Sequence, residues 1–496
     1  MRRAGQRQLA FAFADSPQGG GQAESLGVPE GKAWLLLIAN GKEVSGPVAR
    51  ADDTGRLLER AASVPNLARA LLNVARNRGA AGVDGCSVGE VVEVSRRLLP
   101  KLRRDLLSES YRPGDVRRVW IPKPGGGQRG LGIPNVVDRW VQQAVLQVLE
   151  PIFEPTFHSS SHGFRRDRGA HTAIAEAKRY VEEGHGIVVD LDLSKFFDRV
   201  NHQRLLNRLA QRVSDGRILK LVLRMLEAKV VMPDGTRVSA EEGTPQGGPL
   251  SPLLSNVVLD ELDWELERRG LHFVRYADDA NIFVRSRRAG HRVLESTRRF
   301  IEGRLRLKLN EEKTTVDRPG KLHFLGFRLT RNHEEKVEVQ LSARTVQRLN
   351  LRIRELTPRV WGQSLAACME HTNRYLRGWA AYFRICTEQG ARSFRKFDAH
   401  LRRRLRMIIL RQKGRRARYL YRHLRKRGVS QGAAGQAAYC RRGPWNRSNR
   451  PGLTRAYPNA WFTERLISLW NEWHRHNPPE RVSGRQLTLF GDEVLT

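Results

Sequence analysis

"HFVRYADDANIFVRS", residues 272–286, sets two acids side by side at the one point where an otherwise strand-like run must turn. Phe273, Val274, Ile282, Phe283 and Val284 are strand formers on either side of Asp278 and Asp279. A bend needs only one Asp or Asn to satisfy its backbone, and adjacent carboxylates repel, so the pair exceeds what turn chemistry asks for. A divalent cation explains the excess, because hard cations take oxygen ligands and a tight turn between two strands holds carboxylates more rigidly than a loose loop. A solvent-exposed hairpin turn is the plainer reading of these residues alone. The rest of the chain decides between the two.

The chain has 496 residues, 40% of them apolar, enough for two or three domains with real cores. Its 88 Lys and Arg against 52 Asp and Glu give a formal net charge of +36. Such an excess calls for a polyanionic partner, and nucleic acid is the first candidate, since Lys and Arg displace the counterions condensed on phosphates. No apolar run reaches the 18 residues of a membrane span, and no secretory layout surrounds Ala33–Ala39, so the sequence predicts a cytosolic protein without a membrane partner. The four cysteines are scattered, with no C-x-x-C and no zinc spacing, which supports neither a disulfide framework nor a structural zinc finger.

Residues 1–60 are rich in Gly, Ala, Ser and Gln and read as a flexible leader. Helical periodicity starts at "NLARALLNVARNRG", 66–79. "RRVWIPKPGGGQRGLGIP", 117–134, reads as two strands about a Gly-rich turn, followed by a helix. "HGIVVDLDLSKFFDRVNH", 185–202, reads as a strand running into a helix start, "VVMPDGTRV", 230–238, as a hairpin, and "GTPQGGPLSPLLSNVVLDELDWELERRG" as a loop opening a long helix. This order predicts an α+β domain with an antiparallel sheet, and beyond about residue 340 the pattern turns helical. Residues 391–430 hold 16 Lys and Arg against the one acid Asp398, with Phe394, Phe397, Tyr419 and Tyr421 interleaved, a mixture suited to an RNA or single-stranded surface.

If Asp278 and Asp279 bind metal for phosphoryl transfer, a further acid is needed, and Asp192 at the end of "VVDLD" is the candidate. Asp190, two residues earlier, shares its strand face and stands behind it as support. Five ordered blocks, "DLSKFFD", "GTPQGGPLSPLLSNVVLDELD", "YADD", "LNEEKT" at 309–314 and "FLGF" at 324–327, resemble those of reverse transcriptases, and in particular the reverse transcriptase/maturase encoded by bacterial group II introns. The resemblance runs through 66–330, and "YLRGWAAYF" and "GPW" extend it towards the C-terminus.

That resemblance implies a right-hand polymerase fold: fingers with an N-terminal extension over 61–185, palm over 186–335, a helical thumb/maturase domain over 336–430 and a basic DNA- and RNA-binding region over 431–496. It implies that Asp192 and Asp278 bind two Mg²⁺ ions, with Asp279 as a weaker third carboxylate. Lys123 and Arg129 match finger residues that grip an incoming triphosphate, Gln246 and Gly247 of "PQGG" the floor under the nucleotide, and Phe197 the gate that excludes a 2′-hydroxyl, which points to dNTPs. Lys313 matches a proton donor to pyrophosphate, although on its own it is an ordinary charge. "FLGF" matches a block that holds the primer end through backbone and apolar contacts, and on its own it reads as an ordinary buried strand. Expected partners are group II intron RNA, an RNA template and a DNA primer or target, in a bacterial cytoplasmic nucleoprotein. The lack of paired Cys motifs predicts the subgroup without a DNA-cleaving module, using DNA ends already available. Two other readings stay open: a reverse transcriptase domesticated for phage defence or DNA repair, and a non-catalytic RNA-binding splicing factor, which the kept acids oppose.

Overall fold

The computed structural model describes residues 34–36, 38–39, 54–122, 127–239, 242–244, 247–358, 362–414 and 416–478. The chain divides into two compact units after Asp317.

In the first unit, helix Val64–Arg76 carries a proline in its first turn and presents Leu67, Leu71 and Val74 to a core it shares with helix Val136–Phe153. Polar groups lock that contact: Trp140 Nε1 donates to the Leu67 carbonyl at 2.7 Å, and Asn66 Nδ2 donates to the carbonyls of Ala61 and Ala144 at 2.9 and 3.0 Å. Helix Val88–Leu107 begins with a reciprocal Ser87–Glu90 capping box. The expected leader needs correction at its end. Thr54–Ala61 is helical, Leu57 and Leu58 are fully buried, and Leu58 N–H donates to Asp215 at 2.9 Å, so the folded body starts before residue 60. Residues 1–33 lie outside the described residues.

Strands β1 (Val116–Pro122) and β2 (Gln128–Ile133) form the expected antiparallel hairpin. They join a sheet of order β2-β1-β4-β5, in which β4 (Val230–Val231) and β5 (Arg237–Val238) are the short Asp-Gly hairpin and β4 runs parallel to β1. The second sheet has the order β6-β7-β3-β8 and is antiparallel throughout, from β3 (Ile187–Asp192), β6 (His272–Tyr276), β7 (Asp279–Val284) and β8 (Thr315–Asp317).

Its register decides which side chains share a face. Val189 pairs with Ile282, which pairs with Phe273, and Leu191 pairs with Ala280, which pairs with Arg275. These residues face the core under helix Ser251–Arg268. Alternation then puts Asp190, Asp192, Asp279 and Asn281 on the opposite face. Helix Ala170–Glu182 covers the other end of that face, where Tyr180 packs on His272 and Phe283.

The second unit opens with a hairpin of β9 (Phe327–Arg331) and β10 (Val337–Leu341) and continues as helices. "FLGF" is a turn into β9 rather than a strand: Leu325 and Gly326 are left-handed, and only Phe327 begins the ladder. Two aromatic readings of the basic stretch are also corrected. Phe394 and Phe397 are buried against Trp379, at centroid distances of 5.4 and 6.2 Å, because they lie on the inner stripe of helix Glu388–Lys413. Asp398 is a cap: its carboxylate accepts from Leu469 N–H at 2.9 Å, Trp470 N–H at 3.2 Å and Ser468 Oγ at 2.8 Å, at the start of helix Leu469–His476. Tyr419 remains exposed. Among the described residues no helix is long and apolar enough to cross a membrane.

Candidate functional site

β6 and β7 are joined by a two-residue turn, Ala277-Asp278, in which Ala277 takes a left-handed φ of +57°. Asp279 pairs directly with Asp192 of the neighbouring strand, and Asp190 lies one alternation behind. The segment 309–314 runs alongside: Asn310 N–H donates to the Asp192 carbonyl at 2.8 Å, Thr314 Oγ1 accepts from Asp192 N–H at 3.3 Å, and Lys313 Nζ stands 3.3 Å from Asp192 Oδ2.

The carboxyls repel one another in a half-buried setting, with Asp279 itself reaching solvent. Burial, then Asp278, Asp190 and Asp192, push Asp279 up to about 7. Burial and Asp192 push Asp190 up to about 7 as well. Asp278 is raised mainly by burial, against the pull of Arg129 and Arg275. Acids gathered by strand register at one end of the sheet, with Lys313 3.3 Å from Asp192, offer oxygen ligands of the kind a hard divalent ion takes.

What holds the turn is a residue the sequence reading passed over. Arg275 is fully buried, pairs with Asp263 at 2.5 and 2.7 Å, and donates to Ser161 Oγ at 2.7 Å and Asn256 Oδ1 at 3.0 Å. Its fifth contact, 2.9 Å, is the carbonyl of Ala277 in the turn itself. Gly163 presses on the same turn from outside: a Cβ there would lie 2.2 Å from the Ala277 nitrogen. The available signal was an arginine in the apolar run "FVRY", at a position whose period faces the core.

On the substrate side, a cavity of about 450 Å³ is lined by Arg129, Leu131, Phe164, Phe197, Gly247 and Gly248, among others. Phe197 is largely buried, with its ring 5.1 Å from Phe196 in an edge-to-face pair, and its carbonyl accepts from Thr244 N–H at 2.6 Å. Gly247 has φ +138°, and a Cβ there would meet the Gly132 carbonyl at 2.5 Å, so the backbone of this loop closes directly on β2. The structure thus brings together Asp192, Asp278, Asp279 and Lys313, and groups Arg129, Phe197 and Gly247 around one cavity. Lys123 and Gln246 lie outside the described residues.

An antiparallel hairpin that carries acids opposite a third strand's acid, together with a cavity that has an arginine and an aromatic wall, is an arrangement suited to metal-dependent nucleotidyl transfer of the polymerase class. Residues 121–329 match the family described as reverse transcriptase (RNA-dependent DNA polymerase), and residues 346–428 match the group II intron maturase-specific domain. Protein YkfC of Escherichia coli is 35% identical over 299 residues, covering 52% of this chain and 78% of that protein. Group II intron-encoded protein LtrA of Lactococcus lactis is 29% identical, over 47% of this chain and half of that protein. The putative COX1/OXI3 intron 2 protein of Saccharomyces cerevisiae is 36% identical over 171 residues, 34% of this chain and 20% of that protein. The chain belongs to the group II intron reverse transcriptase/maturase family, RNA-directed DNA polymerases that act in intron splicing and mobility and depend on divalent metal.

Proposed function

We propose that Asp192 and Asp278 hold two Mg²⁺ ions, with Asp279 as the third carboxylate, and that the chain extends a DNA primer on an RNA template from dNTPs. When bound, the ions lower the charge barrier on the attacking and departing oxygens. Each of the chain's own groups then has a task. Lys123 and Arg129 grip the triphosphate, and Gln246 and Gly247 form the floor beneath the nucleotide. The Phe197 ring occupies the space a 2′-hydroxyl would need. Lys313, 3.3 Å from Asp192, lies within reach of the reacting centre and donates a proton to the leaving pyrophosphate. The reading rests on one observation, the pairing of Asp192 with Asp279 beside the Asp278 turn.

The RNA partner in this reading is group II intron RNA, stabilised in its folded form by the basic helices within a cytoplasmic nucleoprotein, while the RNA performs the splicing chemistry itself. Support comes from cations stacked on aromatic rings in the second unit, Arg395 over Trp470 at 3.8 Å and Arg403 over Trp445 at 3.9 Å. The test is extension of a DNA primer on an RNA template with Mg²⁺ and dNTPs, comparing wild type with Asp278→Asn. Synthesis lost in the variant supports the site. A folded wild type that binds RNA tightly without synthesising cDNA refutes the polymerase assignment.

A further inference from the structure

At the end of the sheet away from the carboxylate turn, three ligand-bearing residues converge. Glu183 follows the last residue of helix Ala170–Glu182, His185 precedes β3, and His272 opens β6. One ligand atom of each lies within 4.8 Å of those of the other two. In a tetrahedral zinc site ligand atoms stand roughly 3.3 Å apart, so small side-chain rotations complete the set.

Two further features prepare these side chains. His185 Nδ1 lies 3.2 Å from the carbonyl oxygen of Tyr180. A carbonyl only accepts, so Nδ1 carries the proton and Nε2 keeps its lone pair. Metal-bound histidines characteristically make this contact with their other nitrogen, because it fixes both the ring and its tautomer. His272 is held in turn by the Tyr180 ring at 4.9 Å, and the two imidazoles meet at 4.5 Å with their planes at 69°. Glu183 now accepts from Arg179 at 2.9 Å, an exposed pair four residues apart on a helix end, and exchanging such a partner costs little.

We propose that Glu183, His185 and His272 form a zinc site, two imidazoles and a carboxylate with water in the fourth position. Two nitrogens and one oxygen, with no thiolate, match zinc among the common divalent ions and fit Mg²⁺ poorly. The site ties the end of helix Ala170–Glu182 to the segment leading into β3 and to the first residue of β6. It is separate from the polymerase reading.

Full-length protein stripped with EDTA and returned to excess Mg²⁺, which supplies the carboxylate turn, is titrated with Zn²⁺ by calorimetry. Wild type is expected to bind one equivalent, and His272→Asn and Glu183→Gln to weaken it roughly tenfold or more. Co²⁺ in place of zinc should give visible absorption bands in wild type that both variants lose. Glu183→Gln changes an exposed side chain and preserves the test if His272→Asn unfolds, and primer extension in Mg²⁺ should be unchanged in it. Absence of zinc binding by wild type, or equal affinity in wild type and variants, overturns the proposal.

Discussion

Arg275 and Asp263 face each other with two contacts, at 2.5 and 2.7 Å, and neither side chain reaches solvent. The pair sits on the core face of the sheet and reaches through Arg275 to the carbonyl of Ala277, so the turn that presents Asp278 is held from behind by a buried ion pair. Arg275→Met leaves the Asp263 carboxylate buried and unpaired, and breaking such a pair costs roughly 3–5 kcal/mol. Urea unfolding should show this loss. Arg275→Met combined with Asp263→Leu should recover much of the stability but not cDNA synthesis, because the Ala277 carbonyl still lacks its donor. A double variant with full synthesis would show that the turn needs no such support.

Removing a carboxylate from the turn itself should separate chemistry from fold. Asp278→Asn is expected to lower single-turnover nucleotide addition by roughly a hundredfold or more, a typical scale for losing one charge-stabilising group, with no loss of thermal stability. Equal rates for wild type and variant would remove Asp278 from the site.

At Gly247 the constraint is steric. A methyl group would meet the Gly132 carbonyl at 2.5 Å, in a backbone conformation that side chains rarely adopt. Gly247→Ala should carry strain on the order of 1–3 kcal/mol into the nucleotide floor and raise the KM for dNTPs. Steady-state kinetics on a fixed primer-template would detect it, and an unchanged KM would place the floor elsewhere.

Phe197 lines the cavity, so a smaller side chain should admit what the ring excludes. Phe197→Val is expected to reduce discrimination against ribonucleotides by roughly tenfold or more, read from the ratio of kcat/KM for a dNTP and its rNTP. Unchanged discrimination would leave Phe197 as a core residue only.

Glu176 gives the fold a pH dependence of its own. Burial raises its pKa, but hydrogen bonds from His162, Tyr180 and Ser160 outweigh that and bring it down to about 2. A depressed carboxyl stabilises the fold above its unfolded value, near 4.5, and loses that contribution as pH falls towards 2. Wild type should therefore lose stability across this window relative to Glu176→Gln, whose unfolding midpoint should be lower at neutral pH and change less. Parallel curves would assign the acid sensitivity to other groups.

The hairpins and the acids at their ends were legible in the sequence because a strand's period is local: alternation in "IVVDLD" and "FVRYADDANIFV" predicts both the strands and the face on which the carboxylates lie. What supports them was not. Arg275 looks like one more surface cation until Asp263, Asn256 and Ser161 are brought round it from separate segments, and no short window contains that set. Composition misled in the same way within residues 391–430. Phe394 and Phe397 read as stacking platforms because they stand among arginines, but a helix sorts residues by angle, and that angle turns both rings inward. Arg404 and Arg406, two of the sixteen basic residues in that stretch, are buried and bound to the backbone at Thr357 and Tyr457.

The pairing of Asp192 with Asp279 joins residues 87 positions apart. Forming it closes a long loop, and such contacts come late and slowly because chain entropy must be lost before they give anything back. On the ribosome, the strand bearing Asp192 emerges well before its partner and waits with an open edge. If the proposed site is right, nucleotide addition has to wait until Asp279 has been made, and the unpaired strand edge is exposed to aggregation in that interval.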